Sequence, residues 1–207
     1  MISVDAVCLL AAALRARINE LAAQSHLPVT LARSGRWQSA WETASPPLRK
    51  RILSHALGLK HFRLTTGLSD NLDIAVLPRQ SLQRVLLLRA LYARTAALRR
   101  CVERTPRQWF IQQLGQSDWN WIVSRYAPPT DETLLPIGDD HLHQWYADGW
   151  QRLYCDRIWA WQGLAHLAAN VADVTPRQSL DGMHRAQRSH AFLDEWRLMA
   201  QPRVAAA

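Results

Sequence analysis

The sequence predicts an all-α protein folded as an irregular orthogonal helical bundle. Three observations support this prediction. Apolar residues recur in steps of three and four over long segments, Pro and Gly residues mark helix starts and stops, and strand-like alternation is confined to residues 60–76. The 207 residues are expected to form a single helical domain, 1–207, and two lobes at 1–76 and 77–207 are an alternative division.

The N-terminal segment is the clearest helix. Its polar residues fall off one narrow apolar stripe, so the helix can dock on the core of its own chain or on another chain. The segment lacks a basic start, and no apolar run approaches the roughly 18 residues of a membrane span, so we expect neither a signal peptide nor a span. The stripe consists of Val4, Val7, Ala11, Leu14, Ile18 and Leu21.

Helix starts and stops divide the rest of the chain. Ser45-Pro46-Pro47 predicts a helix that Gly58 ends, because proline suits the first helical turn and glycine the C-terminal end. A long apolar helix is predicted over 79–102, at the centre of the core. The other predicted helices begin at Thr105 and Ser117, run from Asp139 to about Val171 with an interruption near Gly149 or Gly163, and run from Pro176 to Met199.

Residues 60–76 are the least helical part of the sequence. Thr65-Thr66-Gly67 and Ser69-Asp70-Asn71 are turn signals, and apolar residues alternate with polar ones on either side of them. This pattern predicts either one small β-hairpin or a loop.

The formal net charge of +8 comes almost entirely from arginine, because Lys50 and Lys60 are the only lysines. Arginine forms bidentate contacts with carboxylates and phosphates. The charge is therefore compatible with an acidic protein partner, with nucleic acid or with an anionic membrane surface. GC-rich codon usage would produce the same composition.

The sequence shows no pattern typical of an enzyme. It has no GxSxG, no GxGxxG and no GxxxxGK[ST] motif. The cysteines, Cys8, Cys101 and Cys155, are odd in number and widely spaced, as expected of reduced thiols in a bacterial cytoplasm. We therefore expect a non-enzymatic protein without a cofactor.

A metal site is the strongest catalytic alternative. His141 and His143 lie near two aspartates, and Cys155 follows on the same predicted helix. Two residues separated by two positions on a helix diverge by about 200°, so these histidines share a face only if the backbone there is extended. Two polar residues in a first helical turn are the simpler interpretation.

The ten tryptophans are the most unusual feature of the composition. Some are expected in the core, but the pairs Trp119/Trp121 and Trp159/Trp161 would point to different sides of a helix. Since Trp and Arg are typical anchors of protein interfaces, at least one member of each pair is expected to meet a second surface. The predicted protein-binding residues are Trp119, Trp121, Trp159, Arg125 and Arg157.

The chain resembles the SctK family of type III secretion accessory proteins over roughly residues 80–165. The resemblance lies in the helix LQRVLLLRALYARTAALRRCVE, a short helix ending in Gln113-Leu114-Gly115, a proline-rich break and the DGWQRLY segment. It implies a cytoplasmic adaptor of the injectisome sorting platform, held near the inner membrane by its partners. Those implied partners are the cytoplasmic domain of an SctD-type ring protein and an SctQ-type pod protein.

Three functional hypotheses follow. The leading one is an adaptor in a bacterial type III secretion assembly. The second is a nucleic-acid-binding or regulatory helical protein, although the arginines are spread over nearly every segment rather than clustered. The third is a metal enzyme that uses His141, His143 and Cys155.

Overall fold

The chain is almost entirely helical. A computed structural model describes residues 4–32, 37–59, 71–101, 103–125, 132–159, 161–175 and 189–200. In these ranges it forms twelve α-helices and no strand, which confirms the all-α prediction. The helices are α1 (Val4–Ala23), α2 (Val29–Ala32), α3 (Gln38–Thr43), α4 (Pro46–Ala56), α5 (Leu72–Ala75), α6 (Arg79–Tyr92), α7 (Thr95–Arg100), α8 (Arg104–Leu114), α9 (Gln116–Ser124), α10 (Leu142–Cys155), α11 (Gln162–Ala172) and α12 (Ser189–Ala200).

Helix α6 lies at the centre of the core, as its apolar sequence predicts. Every residue from Val85 to Tyr92 is buried, because α8, α9, α10, α11 and α12 all contact this helix. The buried apolar residues form one cluster that runs from Leu21 to Leu193. The core therefore includes residues from both sides of position 76.

The long helix predicted over 79–102 is broken, with α6 ending at Tyr92 and α7 beginning at Thr95. Arg94 leaves helical geometry (φ −113°, ψ 19°), and its guanidinium donates hydrogen bonds to the Ala90 carbonyl and the Asp148 carboxylate. A buried guanidinium needs such acceptors. The break between α6 and α7 thus occurs at a buried charged residue, Arg94, and the apolar periodicity of the sequence did not reveal it.

The helix predicted from Asp139 to Val171 is also divided, and the interruption lies just before Gly163, one of the two predicted places, and not at Gly149. A 3₁₀ turn at Asp139–His141 precedes α10, α10 continues through Gly149 to Cys155, and α11 begins at Gln162. The break begins after Cys155 and contains Arg157, which has the left-handed φ of 52°. A non-glycine residue in that region ends helical geometry.

The closest approach in the core is the crossing of α6 and α10 at Gly149. A Cβ atom on Gly149 would lie 1.9 Å from the Leu86 carbonyl oxygen and 2.6 Å from the Leu86 carbonyl carbon. No side chain fits there, so glycine in the middle of α10 allows the two backbones to touch. Gly163 plays the same part at the start of α11, where a Cβ would lie 2.2 Å from the Leu57 carbonyl oxygen.

The N-terminal helices form a layer beside α11. Helix α1 packs on α4 and α11, but only Leu21 and Ala22 of its twenty residues are buried. Helix α4 begins at Pro46 as predicted, and the chain turns away from it at Gly58, whose φ is +66°. The first helix thus docks on its own chain through its C-terminal end.

The hairpin alternative for residues 60–76 is wrong in its second half. Residues 60–70 lie outside the described part of the chain, but Leu72–Ala75 form the short helix α5. Asn71 adopts left-handed geometry before this helix, and its side chain donates to the Ile158 carbonyl. Because Leu72, Ile74 and Ala75 are all buried, the segment lacks the exposed face of a hairpin strand.

The segment at 176–199 is described only in part. Residues 176–188 lie outside the described ranges, and Ser189–Ala200 form α12, in agreement with the C-terminal portion of the predicted helix. The start signal at Thr105-Pro106 places its helix to within one residue, because α8 begins at Arg104.

We expect Gly149→Ala to destabilise the protein by about 1–3 kcal/mol or more, because the new methyl group would overlap backbone atoms of Leu86. The free energy of unfolding in urea measures this effect. The sign of the change in free energy distinguishes a crowded glycine from an uncrowded one, because alanine in place of an uncrowded mid-helix glycine stabilises a protein by up to about 1 kcal/mol. A more stable variant would show that the close α6–α10 crossing is absent.

Candidate docking surface

The three tryptophans predicted to contact a partner lie in the core. Trp119, Trp121 and Trp159 expose 4%, 8% and 5% of their surface. Trp119 and Trp121 are both on α9, but α9 lies between α8 and α6, so opposite sides of the helix are covered. Trp159 follows α10 in the connecting segment, where its Nε1 donates to the Asn71 carbonyl. A rigid partner therefore cannot reach these side chains.

The two predicted arginines are differently placed. The Arg125 side chain is 39% exposed, lies 5.2 Å from the Trp121 ring centroid and forms a 3.4 Å ion pair with Glu195. Arg157 is exposed after the end of α10. Contact of the five predicted residues with a partner stays a prediction. Of the five, only Arg125 and Arg157 have side chains exposed to a partner.

The interior contains an ionic network that the sequence did not suggest. Asp148 accepts hydrogen bonds from Arg94 Nη1 at 2.7 Å and from Arg152 Nε at 2.8 Å. Arg152 also donates to Glu132 at 3.1 Å, and Arg89 pairs with Asp156 at 3.2 Å. The network joins α6, α10 and the segment before α10, and its three arginines balance its three carboxylates. Its members are Arg89, Arg94, Glu132, Asp148, Arg152 and Asp156.

A sequence signal for this network exists. Asp148, Arg152 and Asp156 recur every four residues, so they share one face of α10 or its end. The neighbouring residues on this helix include Trp145, which is fully buried. Charged residues at regular spacing on an otherwise buried helix indicate an internal ion cluster, but the partners on α6 are more than fifty residues away.

The surroundings of Asp148 and Arg89 keep both side chains charged at neutral pH. Burial opposes ionisation of Asp148, but hydrogen bonds and positive charge from Arg94 and Arg152 outweigh it and hold the pKa of Asp148 below its ordinary value. Burial and the nearby Arg152 lower the pKa of Arg89 to about 10. Neither group exchanges a proton near neutral pH, which suits a structural role rather than general acid or base catalysis.

The structure separates the residues of the metal hypothesis. His143 lies in the first turn of α10 and Cys155 at its last residue, so the helix places them about 18 Å apart along its axis. His141 precedes α10 in the 3₁₀ turn, where its Nδ1 lies 3.3 Å from Gln144 Nε2. In the described ranges no group of three or more His, Cys, Asp or Glu side chains could hold a metal ion. One ion cannot bind His143 and Cys155 together.

Two open clefts occur on the surface. One, of about 410 Å³, is lined by His143, Asp173 and Thr175 among others. The second, of about 420 Å³, lies between the α7–α8 junction and residues 132–137, with Pro106 and Leu134 in its wall. Among the described residues no hydrogen bond joins His143 to Thr175 in the first cleft or Cys101 to Glu103 in the second.

Two of the four large apolar side chains that are exposed in the described ranges lie in the first turns of α1, and the others are Leu48 and Leu198. Val4 is 78% exposed and Leu9 71%, and Cys8 between them is also exposed. Five positions separate Val4 from Leu9, so the two side chains point about 140° apart around the helix. The first turns of α1 therefore expose apolar side chains on more than one side of the helix.

A second exposed surface is cationic. Arg100 ends α7, and Arg104 and Arg107 lie in the first turn of α8. All three are exposed, and none forms an ion pair with a described residue. Other surface arginines, such as Arg79 and Arg84, are paired with carboxylates of the same chain.

A family model described as bacterial type III secretion protein, HrpB4, matches residues 3–177. The chain belongs to this family of bacterial type III secretion proteins. The HrpB4 family corresponds to the SctK-like proteins, which confirms the resemblance seen in the sequence. No curated protein and no solved structure matches the chain. In this HrpB4-family protein, none of the described helices is long and apolar enough to cross a membrane.

We expect Asp148→Asn to lower the free energy of unfolding by about 3–5 kcal/mol, because it leaves Arg94 and Arg152 buried without their carboxylate. Chemical denaturation at pH 7 measures the loss. The stabilising contribution of Asp148 is complete above its ordinary pKa of 3.8 and is lost as the pH falls through its lower pKa in the folded protein. The difference between variant and wild type should therefore shrink in strong acid.

Asp173→Asn is the matched control. Asp173 pairs with Arg79 at 2.9 Å, but both side chains are more than 40% exposed. An exposed pair of this kind contributes less than about 1 kcal/mol. Equal losses for the two variants would contradict a special role for the buried network.

Proposed function

We propose that the chain is a non-enzymatic cytoplasmic adaptor of a type III secretion sorting platform. It bridges the cytoplasmic domain of an SctD-type inner-membrane ring protein and an SctQ-type pod protein, and it is peripheral to the membrane through these partners. The observation that carries the proposal is the presence of two exposed surfaces of different chemistry on one helical core. Membership of a secretion family supplies the biological setting.

The two surfaces belong to different groups of helices. Helix α1, which carries Val4 and Leu9, packs on α4 and α11, whereas the arginines of α7 and α8 lie on helices that pack on α6 and α9. An adaptor needs two surfaces that partners can occupy together. The apolar surface suits a hydrophobic contact, and the arginines suit an acidic patch that they would orient by charge.

We expect Leu9→Asp to weaken binding of one partner by about 10–100-fold and to leave the other unchanged, because burial of a leucine contributes about 1.5–3 kcal/mol. The measurement is titration of the purified full chain with each purified partner. Leu198→Asp is the control, since Leu198 on α12 is 74% exposed and Leu9 is 71% exposed. Equal effects of the two substitutions would contradict the assignment of α1.

The double variant Arg104→Glu/Arg107→Glu should weaken binding of the other partner. Its association rate should fall steeply, because opposite charges on the two proteins speed their encounter. The rate should lose its dependence on ionic strength. Arg51→Glu, an exposed arginine on α4, is the control for a charge reversal elsewhere. Failure of the purified chain to bind either ring or pod protein would overturn the adaptor proposal.

Nucleic-acid binding is the second candidate function, and the unpaired Arg100, Arg104 and Arg107 favour it. Burial of Trp119, Trp121 and Trp159 argues against base stacking, which single-strand binding commonly uses. Binding of random oligonucleotides that weakens with salt and disappears in the Arg104→Glu/Arg107→Glu variant would support this function.

A further inference from the structure

The C-terminal helix α12 differs from the rest of the described chain. The HrpB4 family match ends at residue 177, before α12 begins at Ser189. The surface on which α12 lies belongs to the matched part, since it consists of residues from α5, α6, α9 and the end of α10. We call this surface the α12 seat, and it is formed by Asn71, Asp73, Arg89, Tyr92, Trp121, Arg125 and Asp156.

The N-terminal end of α12 is held by charge. The Asp156 carboxylate accepts a hydrogen bond from the Ser189 backbone N–H at 3.0 Å, and Arg89 Nε donates to the Ser189 hydroxyl at 2.7 Å. A carboxylate at a helix N-terminus satisfies a free N–H and complements the helix dipole. The seat therefore recognises the start of a helix, whichever chain supplies that helix.

The middle of α12 inserts an aromatic anchor. Phe192 is fully buried, with its ring centroid 5.4 Å from that of Tyr92 and 6.2 Å from that of Trp121. Leu193 beside it is also buried, whereas Leu198 is exposed. Trp196 and Met199 also pack against the core but are only partly buried, so Phe192 and Leu193 are the most deeply buried apolar residues of the helix, as anchor residues are in a helix-in-groove interface.

The C-terminal part of α12 is held by a polar clamp. Arg197 donates two hydrogen bonds to the Asp73 carboxylate, at 3.1 and 3.0 Å, and a third to Asn71 Oδ1 at 2.7 Å. The Arg197 and Asp73 side chains are 34% and 45% exposed, so the clamp is accessible to solvent. Such a pair fixes orientation but adds little stability.

The seat leaves polar atoms of both helix and groove unsatisfied. Arg89 Nη1, Trp121 Nε1, Arg125 Nε and Glu195 Oε2 are buried without a hydrogen-bond partner among the described residues. Buried polar atoms in protein cores are nearly always paired. The other six such atoms lie elsewhere in the described ranges, so incomplete pairing is shared by the seat and the core.

We propose that the α12 seat is a helix-binding groove that α12 occupies in cis, and that an amphipathic helix of an assembly partner displaces it. The partner helix presents an aromatic anchor one turn after its N-terminus and an arginine about five residues later, which is the spacing of Phe192 and Arg197. The partner's membership of the secretion assembly rests on the proposed function. The proposal that the seat is a helix-binding groove does not depend on the proposed function.

The test uses the full chain with its own helix weakened and its seat intact. In the Phe192→Ala/Arg197→Ala chain, hydrogen exchange of α12 amides should accelerate at least tenfold while α6 stays protected. A fluorescein-labelled peptide of residues 189–200 should bind this chain and not the wild-type chain. A peptide carrying Phe192→Ala should not bind. Loss of protection in α6, or absence of peptide binding, would overturn the proposal.

A charge exchange provides the specificity control. Adding Asp73→Arg to the weakened chain should abolish binding of the wild-type peptide and create a preference, of at least tenfold, for a peptide carrying Arg197→Glu. Equal binding of both peptides would show adsorption rather than occupation of the seat, and would also overturn the proposal.

Competition between α12 and a partner helix for the seat predicts that substitutions in α12 tighten partner binding, whereas substitutions in an ordinary interface weaken it. If a partner uses the seat, the Phe192→Ala/Arg197→Ala chain should bind the purified ring or pod protein more tightly than wild type, by the factor by which the open seat becomes more populated. Peptide binding without tighter partner binding would sink the displacement step. Loss of peptide binding with partner binding retained would leave the adaptor function standing alone.

Discussion

Asp148 accepts hydrogen bonds from Arg94, which follows α6, and from Arg152 on its own helix, α10. Both arginines are more than 90% buried, so each requires the carboxylate once the helices pack. The next residue, Gly149, brings the α10 backbone against the Leu86 carbonyl. Together these neighbours fix the register and distance of the central helix pair. Helices α7, α8, α9, α11 and α12 pack on α6, and α1 packs in turn on α11.

The interior of the protein pairs its charged groups, whereas the exposed surfaces carry charged and apolar side chains that could contact other proteins. The buried charges around Asp148 are balanced inside the protein, whereas Arg100, Arg104 and Arg107 on α7 and α8 are exposed and have no ion pair among the described residues. Apolar side chains that the core does not cover include Val4 and Leu9 at the start of α1. Both surfaces therefore suit association with other proteins, and the helical core suits the task of keeping them apart.

Local signals predicted much of the fold. The apolar stripe of α1, Pro46 at the start of α4 and the buried Val85–Leu91 run each indicated the helix that is present. The break after Cys155 was predicted only as an interruption near Gly163. The break after Tyr92 was not predictable, because the geometry of Arg94 depends on Asp148, which is distant in sequence. Burial of Trp119 and Trp121 was missed for the same reason, since helix geometry shows that two side chains diverge but not whether neighbours cover both sides.

The lowering of the pKa of Arg89 to about 10 by burial has a consequence for composition. A lysine begins at about 10.4, so the same lowering would bring the pKa of its ammonium group closer to neutral pH. Arginine keeps its charge with a wide margin. Because the chain has only two lysines and many arginines, its buried positive charges do not change near neutral pH, whatever nucleotide bias first supplied the arginines.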